Sequence, residues 1–258
     1  MEQTERYHSL DFLRALAMYL GVILHVTILF GSPDRILWNF YGEYYQDPVD
    51  YQITWGIHLF RMQFFYLIAG FFAEMVYLKK GGKYFSLNRL KRILVPFIFG
   101  CLIIYPLTLG VFAVYNAELY GKSYPEQSLT FFLWEYFSGT DYNPRITFVH
   151  FWFMWFLMIF YVIHVLGRAA FLGWIQKTKI SHMIAWIVDF CIEKRYGVFL
   201  LAGVTFCFHI TVRSSIFLPD ESHLDPALND LAYYMVFYFF GVGLFHCKNF
   251  FSKIARNL

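Results

Sequence analysis

Charge is scarce in this chain. Only 15% of its 258 residues are Asp, Glu, Lys or Arg, against about a quarter in soluble domains, while 59% are hydrophobic. That balance excludes a water-soluble globule. The net charge of +3 is too slight and too dispersed for a nucleic-acid face. Cysteine is sparse too: Cys101, Cys191, Cys207 and Cys247 stand singly in apolar stretches, with no Cys-x-x-Cys spacing for zinc and no disulfide framework. They read as small buried hydrophobes. No HExxH segment occurs, which argues against a zinc hydrolase, and neither a repeat nor a linker divides residues 1–258 into more than one domain.

Long apolar runs and aromatic rings are what the chain has instead. Phe, Trp and Tyr make up 23% of it, and so much surface to bury excludes disorder. A bilayer core about 30 Å thick takes about 20 apolar residues in a helix. Six runs qualify, at 10–30, 55–78, 93–115, 146–166, 197–218 and 227–246. Two others, 128–139 and 180–192, are too short to cross and read as interfacial or re-entrant. The first run carries Asp11 and Arg14 and lacks a small-x-small cleavage site, so it is a span rather than a signal peptide. The expected fold class is all-α: a polytopic transmembrane helical bundle of about six spans with short interfacial helices. Pro96 and Pro106 fall in the third span, where each missing backbone donor kinks a helix unless neighbours compensate.

The basic residues are distributed unevenly between alternate loops. Lys79, Lys80, Lys83, Arg89, Lys91 and Arg92 follow the second span, and Arg168, Lys177, Lys179, Lys194 and Arg195 follow the fourth. Lys248, Lys253 and Arg256 follow the sixth, and Arg6 and Arg14 precede or open the first, so that 16 of 21 basic residues share one side. By the positive-inside rule both termini are cytoplasmic, which points to a multi-pass protein of the cytoplasmic (inner) membrane.

Ionisable side chains inside a span are costly and therefore informative. With alternating orientation, His25, His58, Arg61, His150, His209 and Arg213 reach similar depths toward the outer side, whereas Arg14 and Glu74 lie near the inner one. His25 suits general-base work, because imidazole accepts a proton near neutral pH. Arg89 and Arg92, three residues apart, present two planar forks suited to phosphate oxygens. Against this, Glu74 and Arg14 could be simply a compensating ion pair, and His164 and His246, near inner ends, read as structural. Lysines 79, 80 and 83 read as topology determinants, and the roles of His209 and Arg213 stay open.

The stretch SLDFLRALAMYLGVILH, Ser9 to His25, resembles the first span of the acyltransferase 3 family of membrane O-acyltransferases. That family is marked by an Arg or Lys, ten residues, then a His, matched here by Arg14 and His25. HLFRMQFFYLIAGFF, from His58 to Phe72, is similar to the family's second span; RLKR, from Arg89 to Arg92, fits its R-x-x-R motif; HFWFMWFLMIFY, from His150 to Tyr161, resembles its His-x-Trp segment. The wording around His58, Arg61, Met62, Gln63 and Phe65 is most like the branch concerned with glucan biosynthesis and succinylation. Ala69-Gly70 stands where that family often has Ser-Gly. Six spans are fewer than the family usually carries, which implies that its C-terminal spans are lacking here.

The resemblance implies transfer of an acetyl- or succinyl-class group from cytoplasmic acyl-coenzyme A to a hydroxyl of an extracytoplasmic glycan or other envelope acceptor. His25 and Arg14 would be catalytic, with Arg14 orienting the donor or bracing its entrance. Arg89 and Arg92 would bind the donor, and His58, Arg61 and His150 would contact acceptor or acyl group. No metal or cofactor is implied beyond acyl-coenzyme A as co-substrate. The partners are donor, acceptor and lipid bilayer, with self-association left open. A small-solute or glycan transporter and an inactive membrane scaffold are the rival expectations.

Overall fold

A computed structural model describes residues 8–31, 48–104, 106–108, 151–175 and 228–247, with isolated residues 190, 199, 202, 203 and 205–207. Among the described residues there is no strand, and the elements are helical throughout. In lipid a backbone must satisfy its own polar groups, and a helix does so within one segment. Helix α1 spans His8–Gly31, α2 Pro48–Lys80 and α3 Gly82–Arg89. A π-helical turn, Leu90–Leu94, leads into α4 (Val95–Phe99), and a second, Gly100–Ile104, follows it. Then come α5 (Trp152–Ile175) and α6 (Leu228–His246).

Three helices among the described residues are long and apolar enough to cross a membrane: the run Gly82–Thr108, Trp152–Ala170 and Leu228–His246. The apolar part of α1 is shorter, Ala15–Thr27. Helix α2 has ample length at 33 residues, but Arg61, Gln63, Glu74 and its terminal lysines dilute its hydropathy. The first, second and sixth expected spans coincide with α1, α2 and α6. The third differs, because the helix already begins at Gly82, so most of the basic segment expected as a loop is helical. The fourth runs on to Ile175, beyond its expected end at 166. Apart from the isolated residues, the fifth span and both short apolar runs lie outside the described residues.

Gly81 makes the tight turn between α2 and α3. Its φ of 81° lies in the left-handed region that only glycine enters without strain. Its N–H donates to the Tyr77 carbonyl at 2.9 Å while its own carbonyl accepts from Phe85 N–H at 3.1 Å, which closes one helix and opens the next. Both π turns sit just upstream of a proline, Leu90–Leu94 before Pro96 and Gly100–Ile104 before Pro106. A proline ring presses on the carbonyl four residues back and offers it no hydrogen; a widened turn accommodates both effects within a continuing helix.

Helix α2 packs most extensively on α6 and α1. It runs antiparallel to α1, since Leu24 meets Ile57 at one end and Leu13 packs on the Phe71, Leu244 and Cys247 cluster at the other. It runs parallel to α6, where the Tyr66 and Tyr234 rings lie 5.1 Å apart and those of Phe71 and Phe245 5.5 Å. Helix α5 shares that direction, with Phe153 against Phe65 and His164 beside Glu74. The α3–α4 run opposes α5, as Phe85 meets Tyr161 and Phe97 meets Trp155. These directions are those required of alternating spans.

The closest crossing is between α2 and α6. A Cβ at Gly70 would strike the Tyr238 carbonyl, and a Cβ at Gly241 would strike the Leu67 carbonyl. Two glycines therefore admit each other's backbone, as small residues do where lipid removes the hydrophobic drive for helix pairing. Tyr66, Phe160, Tyr238 and Phe85 fill the centre of the bundle and are fully buried.

Candidate functional site

Two tiers of polar side chains lie along α2, on different levels. The first centres on α1. Gly21 faces α2, and the Arg61 guanidinium fits against it so closely that a Cβ there would collide with Nη1. His25 is one helical turn further along α1, on the same face, and Arg61 is within electrostatic range of it. Tyr66 and Tyr234 also lie in electrostatic range of Arg61. The Arg61 side chain is largely enclosed, and its buried Nε has no hydrogen-bond partner. Beside it Gln63 Nε2 donates to Tyr233 Oη at 2.8 Å, Gln63 Oε1 is buried without a partner, and Tyr66 Oη donates to the Phe153 carbonyl at 3.1 Å.

The second tier lies 13 residues further along α2, about 20 Å at 1.5 Å per residue. Glu74 is fully buried there, and its partners come from two other helices. Arg168 of α5 forms an ion pair with Oε1. His246 of α6 places Nε2 2.6 Å from the same oxygen, and His164 of α5 places Nε2 3.1 Å from Oε2. The other ring nitrogen of His164 meets Tyr238 Oη at 3.2 Å. A buried carboxylate is tolerated only when paired and hydrogen-bonded, and this one is surrounded. Its sealed side is His164 and Tyr238; its open side is Arg168 and His246, about a quarter and about half exposed.

Arg89 stands beside this network in a different electrostatic state. Its guanidinium lies over the Phe85 and Tyr161 rings, 5.1 and 5.0 Å from their centroids, and Phe85 in turn stacks on His164 at 5.8 Å. Arg89 Nε is buried without a partner, and among the described residues no carboxylate pairs with the side chain. Among the described residues its charge rests on aromatic faces. Arg92 is exposed. Arg92 lies within the π turn that Arg89 precedes, and the two differ in exposure.

The residues singled out from the sequence thus separate into groups. His25 and Arg61 come together. Arg89 and Arg92 lie on one helical run but in unlike surroundings. Arg14 belongs to α1 and His58 to α2, yet both side chains fall outside the described residues, as do His150, His209 and Arg213 entirely. Glu74, expected opposite Arg14, has Arg168, His164 and His246 as its described partners. The part played by His164 and His246 was missed by sequence reasoning. One signal was present, since His164 and Arg168 are four residues apart on one helical face, near the inner depth assigned to Glu74. Among the described residues no three His, Cys, Asp or Glu side chains have an arrangement that would hold a metal ion.

Chemically, the first tier joins a proton acceptor to a cation, and the second offers a cation with no carboxylate partner among the described residues next to a neutralised cluster. Comparison with known proteins places this arrangement in context. A family profile described as an acyltransferase domain matches residues 7–253. Glucans biosynthesis protein C of Escherichia coli strain SMS-3-5 / SECEC is 28% identical over 102 residues, covering 36% of this chain and 23% of the relative. The protein of the same name from Escherichia coli strain K12 matches with the same identity and coverage. The matched region thus spans less than a quarter of these curated relatives. No solved structure matches the chain.

Proposed function

Because the chain belongs to the acyltransferase 3 family, we propose that it is a membrane O-acyltransferase that moves an acetyl- or succinyl-class group from acyl-coenzyme A to a glycan hydroxyl. The observation that carries this reading is the pair of guanidiniums without carboxylate partners among the described residues, Arg61 beside His25 and Arg89 further along the bundle, beside the Glu74 network. A donor with phosphates at one end and a reactive thioester at the end of a long arm matches two such levels. Arg89 on its aromatic ledge takes the phosphates, joined by Arg92 from the exposed side, and charge-assisted bonds hold them. Lys79, Lys80, Lys83 and Lys91 add a basic rim that draws the anion in.

Under this reading the basic rim faces the cytoplasm of an inner membrane, by the positive-inside rule, and both termini are on that side. Arg14, also toward that side, orients the donor arm. His25 is the general base, taking the acceptor's hydroxyl proton as its oxygen attacks the thioester carbon. Holding donor and acceptor together supplies much of the acceleration. His58, Arg61 and His150 contact the acceptor or the acyl group. A glucan acceptor is favoured by the names of the matched relatives.

Replacing His25 with Ala tests the reading. Insertion and folding are expected to persist while envelope glycans lose their acyl ester, read by mass spectrometry of glycans from cells carrying either form. Full retention of the ester removes His25 from the chemistry. A glycan that changes compartment without changing mass assigns the chain to transport instead.

A further inference from the structure

We propose that Arg61 is a catalytic residue that stabilises the oxyanion formed when the acceptor attacks the thioester, and that Gly21 exists to let it reach that position. The inference rests on the reading of His25 as the base and concerns a group to which that reading assigned only acceptor or acyl contacts.

Gly21 and His25 are four residues apart on α1, so their positions are neighbours on one face, about 6 Å apart. Arg61 Nη1 lies too close to the position of a Cβ at residue 21 for any other residue to stand there without a shift. The guanidinium is therefore held within one turn of the imidazole by the absence of a side chain. Val22 and Ile23 are exposed on α1, whereas Gly21 is buried in the seam with α2, so the missing side chain opens space at the Arg61 contact and not toward lipid.

The electrostatic state of Arg61 is the second observation. A guanidinium at membrane depth is ordinarily paired, as Arg168 is with Glu74. Arg61 has no such carboxylate among the described residues, and its Nε is buried and unbonded. Nearby are phenols, Tyr66 and Tyr234, and Tyr66 Oη is committed to the Phe153 carbonyl. A fixed cation with no carboxylate partner among the described residues, beside a proton acceptor, suits a negative charge that exists only during reaction.

His25 takes the hydroxyl proton as the acceptor oxygen bonds to the thioester carbon, and the carbonyl pair moves onto oxygen. That oxyanion is held by the Arg61 guanidinium. The pair then returns, the carbon–sulfur bond breaks, and the coenzyme A thiolate takes the proton from the imidazolium. Ester and free thiol are the products, and neither oxidant nor metal is required.

The test uses the full chain in proteoliposomes with acetyl-coenzyme A or succinyl-coenzyme A as donor and a glucose oligosaccharide as acceptor, following thiol release and ester formation. Arg61→Gln is expected to lower kcat about 100-fold with both donors while donor KM changes less than about threefold. Gly21→Ala, which favours the α1 helix intrinsically, is expected to displace the guanidinium and lower kcat about tenfold at unchanged KM. It keeps the test decisive where Arg61→Gln does not fold. A loss confined to KM, or to succinyl-coenzyme A alone, would overturn the proposal, because it marks a binding contact to the acyl terminus. An unchanged kcat in Gly21→Ala also overturns it. If His25→Ala is inactive while Arg61→Gln keeps its rate, this inference fails and the proposed function stands. If His25→Ala keeps its rate, or the unaltered chain forms no ester, the proposed function fails and takes this inference with it.

Discussion

Replacing Glu74 with Ala leaves Arg168, His164 and His246 facing one another with no anion between them. In the native structure the carboxylate is fully buried and gathers all three, from two other helices. Removing one partner of a buried charged pair typically destabilises by about 3–5 kcal/mol, because the remaining charge stays desolvated. Arg168 keeps about a quarter of its side-chain surface exposed, so part of that charge finds water, and about 2–3 kcal/mol is the expected loss. Glu74→Gln, which preserves shape and can still donate or accept, is expected to lose less. Combining Glu74→Leu with Arg168→Met removes both charges together and is expected to recover most of the stability, since apolar replacement of a whole buried pair is often neutral. Reversible unfolding in mixed micelles, followed by helix content, measures these three variants and the single replacements Glu74→Leu and Arg168→Met. The account is refuted if Glu74→Ala unfolds within about 0.5 kcal/mol of the native chain, the range of an ordinary surface substitution, or if the double replacement loses as much as the sum of its single replacements.

Other outcomes follow from the same geometry. Gly70→Val or Gly241→Val forces the α2–α6 crossing apart and is expected to destabilise by about 1–3 kcal/mol or more, whereas Gly167→Ala, which meets nothing within 4 Å, is expected to be silent in the same unfolding assay. Arg89→Gln is expected to weaken coenzyme A binding about tenfold, as one well-placed charged contact does, and Arg92→Gln less than about threefold, as exposed charges do; equal effects in a titration of the purified protein would deny the ledge its role. Tyr66→Phe deletes one hydrogen bond to the Phe153 carbonyl at constant shape and is expected to cost about 1 kcal/mol in the unfolding assay.

Much of the fold was legible in the chain itself. Runs of about 20 apolar residues place α1, α2 and α6 almost where they lie, because in lipid a long apolar segment has essentially one way to satisfy its backbone. Pro96 and Pro106 marked the third span as irregular, and the irregularity takes the form of two π turns. The start of that helix was misplaced, since Lys83 to Arg92 look like a loop when charge is the criterion, whereas one glycine with positive φ turns the chain and starts a helix at once. The closeness of His25 and Arg61 was foreshadowed by matching depths in two oppositely directed spans. Depth alone also placed Glu74 opposite Arg14, but its described partners are on α5 and α6.

By itself, then, the sequence determined a helical membrane protein, the alternating direction of its spans and its acyltransferase 3 membership. These depend on local apolar length, on charge along the chain and on short ordered motifs. Which charges are neutralised was decided only in the tertiary structure. Arg168 is quenched by Glu74, while Arg61 and Arg89 are held by a glycine gap and an aromatic ledge without a carboxylate among the described residues. Pairing of this kind depends on the azimuth and separation of neighbouring helices. Gly21, Gly70 and Gly241 set that closeness through what they lack, an effect visible only when another helix occupies the space.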